Sequence, residues 1–127
     1  MNKEKNDIEK TFEIKIQVKE KEIKNILCDI ESAISYWGTL DIDDSIELNN
    51  NEYLEDYLFE NLLNNKTISI IDIENNNKKY SLTLEKLLKG IGLNFEKRSW
   101  DSHLEDIDSV CRDSIIQYAL FGELMYS

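Results

Sequence analysis

Histidine, cysteine and glycine are scarce in this sequence, and their scarcity argues against several kinds of site. The 127 residues include one histidine, two cysteines and four glycines. Cys28 and Cys111 stand far apart and form no CxxC pair, so a zinc site is not expected. Gly90 and Gly92 have no Lys-Ser or Lys-Thr after them, which argues against a phosphate-binding glycine loop. We expect no metal, no other cofactor, and two reduced, buried thiols.

Long apolar runs are also missing. No run approaches the roughly 18 residues that a membrane-spanning helix needs. Residues 1–10 lack the apolar core of a secretory signal. The sequence therefore predicts a cytoplasmic protein that does not bind a membrane.

Acidic residues outnumber basic ones, and many of the acidic residues are clustered. The net charge is −11, and the stretch from Asp41 to Glu60 has no Lys or Arg. Phosphate backbones are bound by clustered Lys and Arg, so direct nucleic-acid binding is not expected. A basic partner surface would be attracted instead, although acids can also serve only to keep a small domain soluble. The predicted protein-binding acidic surface consists of Asp41, Asp43, Asp44, Glu47, Glu52, Glu55, Asp56 and Glu60.

Hydrophobic periodicity divides the chain into strands and helices. Period-two alternation predicts a strand over Thr11–Lys19 and a weaker one over residues 39–48, and the isoleucine-rich segment Thr67–Ile73 predicts a buried strand. Asn-rich residues 74–79 predict a hairpin to a further strand at Tyr80. Helical periodicity predicts four helices. The first covers Glu20–Tyr36 and ends before Gly38, and the second covers Glu52–Leu63 and is capped by Asn51. The third is capped by Thr83 and weakened at Gly90 and Gly92, and the fourth is capped by Asp106 or Asp108 and ended by Gly122.

These elements predict a flexible tail over residues 1–10 and a single α+β domain over residues 11–127. We expect an antiparallel sheet of about three to five strands packed against about four helices, with a single layer of each. Both periodicities point one set of side chains inward. The predicted core contains Phe12, Ile14, Ile16, Val18, Ile23, Leu27, Ile30, Ile70, Leu87, Ile115 and Ala119.

Three stretches carry a resemblance to a known group of proteins. They are Ala33–Trp37 (AISYW), Ser81–Leu88 (SLTLEKLL) and Ile115–Tyr126 (IIQYALFGELMY). In this order they resemble a family of small uncharacterised proteins encoded in phages, prophages and mobile elements of Firmicutes. The chain departs from the pattern in its Asn-rich segment 49–66 and in Ser127, where the family has glycine. The resemblance implies a mobile-element accessory role, for which inhibition of host defence is a common occupation, and it implies no active site.

The sequence gives little evidence for a catalytic site. His103 lies between Asp101 and Glu105, where a general base or a dyad with Cys111 can be drawn, but a surface histidine and a core cysteine are favoured. The acids around Asp43 lack the glycine and terminal glutamate of an EF-hand loop. We therefore expect a protein that is not an enzyme.

Two pairs of residues that contain aromatic side chains suggest a second kind of site. Tyr36 and Trp37 end a predicted helix, where they can stack on a base or close the core. Arg98 and Trp100 can grip a phosphate and stack on a ring, or lie in a solvated loop. These four residues form the candidate small-ligand site.

Two hypotheses follow from these features. The first is an anti-defence inhibitor, similar to an anti-CRISPR or DNA-mimic protein, whose acidic surface blocks a basic nucleic-acid-handling host protein. The alternative is a sequestering protein that binds a nucleotide-type immune signalling molecule in an aromatic pocket between subunits. Both hypotheses allow the protein to form a homo-oligomer.

Overall fold

The computed structural model describes residues 8–42, 48 and 52–127. Within them the chain forms five α-helices and one antiparallel sheet of three strands in the order β1-β2-β3. The strands are β1 (Gly38–Leu40), β2 (Ile68–Asp72) and β3 (Lys78–Leu82). The predicted α+β fold is therefore confirmed.

The sheet buries one face against the helices. Leu40, Ile70 and Tyr80 lie side by side across the three strands, and alternate residues of β2 are buried. The hairpin between β2 and β3 turns at Asn76 and Asn77, which both have positive φ. Asparagine therefore takes the place of glycine there, as predicted. The weaker strand predicted over 39–48 is found only as β1, and residues 43–47 lie outside the described part of the chain.

The strand predicted over Thr11–Lys19 is wrong. Residues 8–19 form no strand, and residues 8–17 are exposed, including Phe12, Ile14 and Ile16. These three residues were predicted to lie in the core, but the segment has no partner strand among the described residues. Val18 alone of the alternating set packs against the core. Alternation fits a strand only where a neighbour supplies backbone hydrogen bonds.

The helix predicted over Glu20–Tyr36 is two helices, α1 (Glu20–Leu27) and α2 (Ile30–Ile34). The break occurs where Cys28 is extended and Asp29 has a positive φ. The buried guanidinium of Arg112 donates to the carbonyl oxygens of Asn25 and Ile26 near the end of α1. It thereby satisfies carbonyls that would otherwise lack helical partners.

Helix α3 (Leu54–Leu63) begins after Tyr53, whose N–H donates to the Asp56 carboxylate. The predicted cap, Asn51, lies outside the described residues. Thr83 caps helix α4 (Leu84–Lys97) as predicted, because its side-chain oxygen accepts from the Lys86 N–H. Helix α4 runs through Gly90 and Gly92 and ends at Lys97, so neither glycine ends it.

Helix α5 (Ser109–Phe121) is the centre of the core. Asp108 caps it by accepting from the Cys111 N–H, and Gly122 ends it with a positive φ, as predicted. Helix α4 crosses α5 at Gly90, where an added Cβ would lie 2.5 Å from the Ile115 carbonyl oxygen. A short 3-10 helix, Ser99–Asp101, links the two helices. Cys28 and Cys111 are both free thiols, as predicted, but only Cys111 is buried. The expected burial of Cys28 is wrong, because this residue lies at the partly exposed break after α1.

Candidate ligand-binding site

The first and last stretches of the resemblance meet in the structure around Trp37. Its indole is completely buried. It stacks on Tyr126 with ring centroids 5.5 Å apart and meets Phe121 edge-on at 5.4 Å. Trp37 therefore belongs to the core, and its ring is covered by the chain itself.

Asp113, on α5, collects three donors at this junction. Its Oδ1 accepts from Trp37 Nε1 at 2.8 Å and from Gln117 Nε2 at 3.0 Å. Its Oδ2 accepts from the Tyr36 hydroxyl, which in turn accepts from Gln117. Burial, reinforced by the hydrogen bond to the Asp113 carboxylate, raises the pKa of Tyr36 to about 12. The phenol therefore stays protonated at neutral pH and donates.

Gln117 fixes the C-terminal segment against α5. Its Oε1 accepts from the backbone N–H groups of Met125 and Tyr126, each at 2.8 Å. Its Nε2 donates to the Tyr126 carbonyl at 3.1 Å. The Tyr126 hydroxyl donates to Asp72 at 2.7 Å, which ties the same segment to β2. The polar groups of Gln117 are thus used to hold the residues that form one wall of a cavity.

A cavity of about 430 Å³ opens beside this network. It lies between the end of α2, the end of α4, the first turns of α5 and the C-terminal segment. Its size is within the range of roughly 300–1,000 Å³ that is typical of small-molecule sites. The residues that shape its chemistry are Tyr36, Arg98, Val110, Asp113, Gln117 and Leu124.

Arg98 supplies the positive charge of the cavity wall. One terminal nitrogen of its guanidinium lies 2.8 Å from the Asp101 carboxylate, and its carbon lies 5.4 Å from the centre of the Trp100 ring. The Nε donor is buried and has no hydrogen-bond partner among the described residues. A buried donor without a partner costs roughly 1–3 kcal/mol, so an acceptor that reaches it stabilises the site.

The four predicted small-ligand residues occupy different places. Tyr36 and Arg98 line the cavity together. Trp37 is buried next to it, and Trp100 is 69% exposed beside Arg98 without lining it. The structure thus joins one aromatic ring and one guanidinium from distant parts of the chain.

The predicted acidic surface is described only in part, because Asp43, Asp44 and Glu47 lie outside the described residues. Asp41 pairs with Lys79 at 3.1 Å across the sheet, and Asp56 pairs with Lys24 at 3.0 Å. The remaining members lie on or before α3, where Glu52 and Glu55 are half-buried and Glu60 is exposed. Lysines therefore offset the charges of Asp41 and Asp56.

The histidine and cysteine side chains do not form a reactive pair. Burial raises the pKa of the Cys111 thiol to about 11, and this thiol donates to the Asp101 carbonyl oxygen at 3.1 Å. His103 is exposed. Among residues 8–42, 48 and 52–127, no cluster of three or more His, Cys, Asp or Glu side chains could hold a metal ion. No helix of this part of the chain is long and apolar enough to cross a membrane.

Sequence reasoning missed Asp113, Gln117 and Tyr126. A signal was present, because Asp113 and Gln117 are polar residues four positions apart that interrupt an apolar helical stripe. A polar residue within such a stripe is buried only when its hydrogen bonds are satisfied. Comparison with known proteins gives no further assignment, because no family model, curated protein or solved structure matches the chain.

Proposed function

We propose that this protein is a non-enzymatic binding protein that captures a nucleotide-type small ligand in the cavity between α2, α4 and α5. The observation that carries this proposal is the convergence of Tyr36, Arg98 and Asp113 on one cavity. A nucleotide presents a flat ring, polar N–H groups and an anionic phosphate. The cavity offers a complementary group for each of these features.

The phosphate is assigned to Arg98. Its Nε donor has no hydrogen-bond partner among the described residues, and a guanidinium binds phosphate oxygens with charge-assisted hydrogen bonds. The neighbouring Trp100 ring lies under the guanidinium and favours its positive charge. A phosphate would therefore give this donor an acceptor that no described residue supplies, once the guanidinium shifts enough to expose its buried Nε to the cavity.

The base is assigned to the part of the cavity that Tyr36 and Asp113 line. The ring of Tyr36 is partly exposed there and can stack on a base. Asp113 Oδ2 accepts one described hydrogen bond, from Tyr36, and a carboxylate oxygen can accept a second from a ring or amino N–H of a base. Val110 and Leu124 supply exposed apolar surface at the same cavity.

The first experiment is calorimetric titration of the purified protein with adenosine and guanosine monophosphates and with a cyclic dinucleotide. Arg98→Ala should weaken binding by about tenfold to a hundredfold, because a hydrogen bond to a charged group is lost. Arg98→Lys, which keeps the charge but lacks Nε, should fall between Arg98→Ala and the unmodified protein.

Lys89→Ala is the matched control, because it removes an exposed positive charge of α4 whose salt bridge to Glu85 lies outside the cavity. Circular dichroism checks that each variant folds. Equal binding by Arg98→Ala and Lys89→Ala, or no binding of any of the three nucleotides, contradicts the proposal.

The second candidate is the anti-defence inhibitor with an acidic surface. It is supported by the base-free sequence from Asp41 to Glu60 and by the i, i+4 spacing of Asp56 and Glu60 on α3. The pairing of Asp41 and Asp56 with lysines weakens it relative to the cavity. In either role we place the protein in the host-cell cytoplasm, as an accessory protein of a phage or other mobile element.

A further inference from the structure

The segment Thr11–Val18 has the sequence of a half-buried strand but no strand partner in the part of the chain that the structure describes. Phe12, Ile14 and Ile16 alternate with Glu13, Lys15 and Gln17. Phe12 is 77% exposed, Ile14 74% and Ile16 42%. Three large apolar side chains on alternate positions of one short segment make a small apolar stripe on the surface.

The backbone of this segment is also available for pairing. Residues 8–18 make no backbone–backbone hydrogen bond with any other residue that the structure describes. Every residue from Ile8 to Gln17 is exposed. Unpaired N–H and C=O groups along an exposed strand-type sequence are a template for pairing with another chain.

The charges of the segment fit a second copy of itself in one antiparallel register. In that register Ile14 faces Ile14 of the second copy across a twofold axis, so that facing residue numbers add up to 28. Glu13 then faces Lys15, and Phe12 faces Ile16. Glu9 and Lys19 also face each other. Opposite charges placed directly across two strands stabilise the pair.

The neighbouring registers are unfavourable. A shift by one residue moves the apolar side chains of one strand to the other face. The two nearest registers that keep the apolar stripes together place Glu13 opposite Glu13, or Lys15 opposite Lys15. Like charges directly across a strand pair are destabilising, so the sequence selects the register centred on Ile14.

We propose that the protein forms a symmetric dimer in which Thr11–Val18 of two copies pair as antiparallel strands centred on Ile14. The same contact provides a cover for a groove of about 500 Å³ that Ile16 lines together with Phe95 and Leu104. Phe12 of the second copy lies next to Ile16 in this register and supplies the apolar side chain nearest to that groove. A two-stranded ribbon is marginal in water unless one face is covered. Phe95 and Leu104 supply the apolar part of this groove, whose other lining residues include the acidic Glu22, Glu105 and Asp106.

A charge exchange tests the register. Glu13→Lys and Lys15→Glu each replace two attractive pairs of the dimer with two repulsive ones. Each single variant should raise the dimer dissociation constant by about tenfold in sedimentation equilibrium. The double variant Glu13→Lys/Lys15→Glu restores opposite charges and should return the dissociation constant towards that of the unmodified protein.

Cross-linking tests the twofold axis directly. Facing residues of antiparallel strands have Cα atoms about 4.5–5.5 Å apart, which suits a disulfide. In a Cys28→Ser background, Ile14→Cys should therefore form a disulfide-linked dimer on mild oxidation. Thr11→Cys is the matched control, because it faces Gln17 of the second copy rather than itself and should not cross-link. Mixing Thr11→Cys with Gln17→Cys should restore the cross-link.

These experiments test separately whether the protein dimerises and whether the dimer has the predicted strand register. A protein that stays monomeric at high concentration, with equal cross-linking of Ile14→Cys and Thr11→Cys, overturns the proposal. A dimer whose dissociation constant is unchanged in both single-charge variants also overturns it, because its interface then lies elsewhere. Neither result bears on nucleotide binding in the cavity, which the Arg98 variants test separately.

Discussion

Gln117 shows how one side chain can determine the shape of the candidate site. It accepts two backbone N–H groups and donates to one carbonyl of the C-terminal segment. Gln117→Leu keeps most of the volume but leaves these backbone groups without their partners. We expect the free energy of unfolding to fall by about 1–3 kcal/mol and amide exchange at Met125 and Tyr126 to accelerate. Tyr126→Phe, which removes only the hydroxyl bond to Asp72, is the milder control. Unchanged exchange in the Gln117 variant would contradict this role.

Tyr36 gives the site a measurable response to alkaline pH. Its pKa rises to about 12 in the folded protein, above the ordinary value of about 10. A raised pKa contributes stability that is present below pH of about 10 and is lost as the pH rises towards about 12. The difference in urea midpoint between the unmodified protein and Tyr36→Phe should therefore shrink over this interval. A difference that is independent of pH would contradict the hydrogen bond from Tyr36 to Asp113.

The crossing of α4 and α5 depends on one of two glycines of α4. A Cβ at Gly90 would lie 2.5 Å from the Ile115 carbonyl oxygen and 2.8 Å from the Ala119 Cβ, whereas a Cβ at Gly92 meets nothing within 4 Å. Gly90→Ala should destabilise the fold by about 1–3 kcal/mol because the helices must separate. Gly92→Ala should stabilise it by roughly 0.5–1 kcal/mol through helix propensity. Denaturant unfolding of the two variants measures whether Gly90→Ala lowers the free energy of unfolding and Gly92→Ala raises it. Equal changes in the free energy of unfolding of the two variants would contradict the close approach of α4 and α5 at Gly90.

The elements show what periodicity can and cannot predict. The helical stripe of α5 and the caps of α4 and α5 were readable because they depend on neighbouring residues. The break at Cys28 and Asp29 was not readable, because it carries neither glycine nor proline and Arg112 stabilises it from α5. The segment from Thr11 to Val18 has the alternating apolar and polar residues of a strand, but this pattern does not show which strand would pair with it. Arg98 and Tyr36 were each identified, whereas their shared cavity depends on how three helices pack.

The whole molecule carries a charge of −11, and this charge allows a separate test of the inhibitor candidate. Neutralising Asp43, Asp44, Glu55 and Asp56 together should slow association with a basic partner more than it speeds dissociation. The association of the unmodified protein should also weaken as salt rises, because screening shortens to roughly 8 Å at physiological ionic strength. Surface plasmon resonance with a partner recovered from host lysate measures both effects. A quadruple variant that binds with unchanged kinetics would place the interface elsewhere.

The cavity is the central claim, and a nuclear magnetic resonance titration tests it most directly. The isotope-labelled protein is titrated with the tightest binder among the adenosine monophosphate, guanosine monophosphate and cyclic dinucleotide of the calorimetric test. We predict that the Arg98 Nε–H signal and the backbone amides of Tyr36, Asp113 and Gln117 shift together and saturate with one dissociation constant. Shifts that instead gather on the acids of α3, or signals that do not change at saturating nucleotide, would contradict the assignment of this cavity as the binding site.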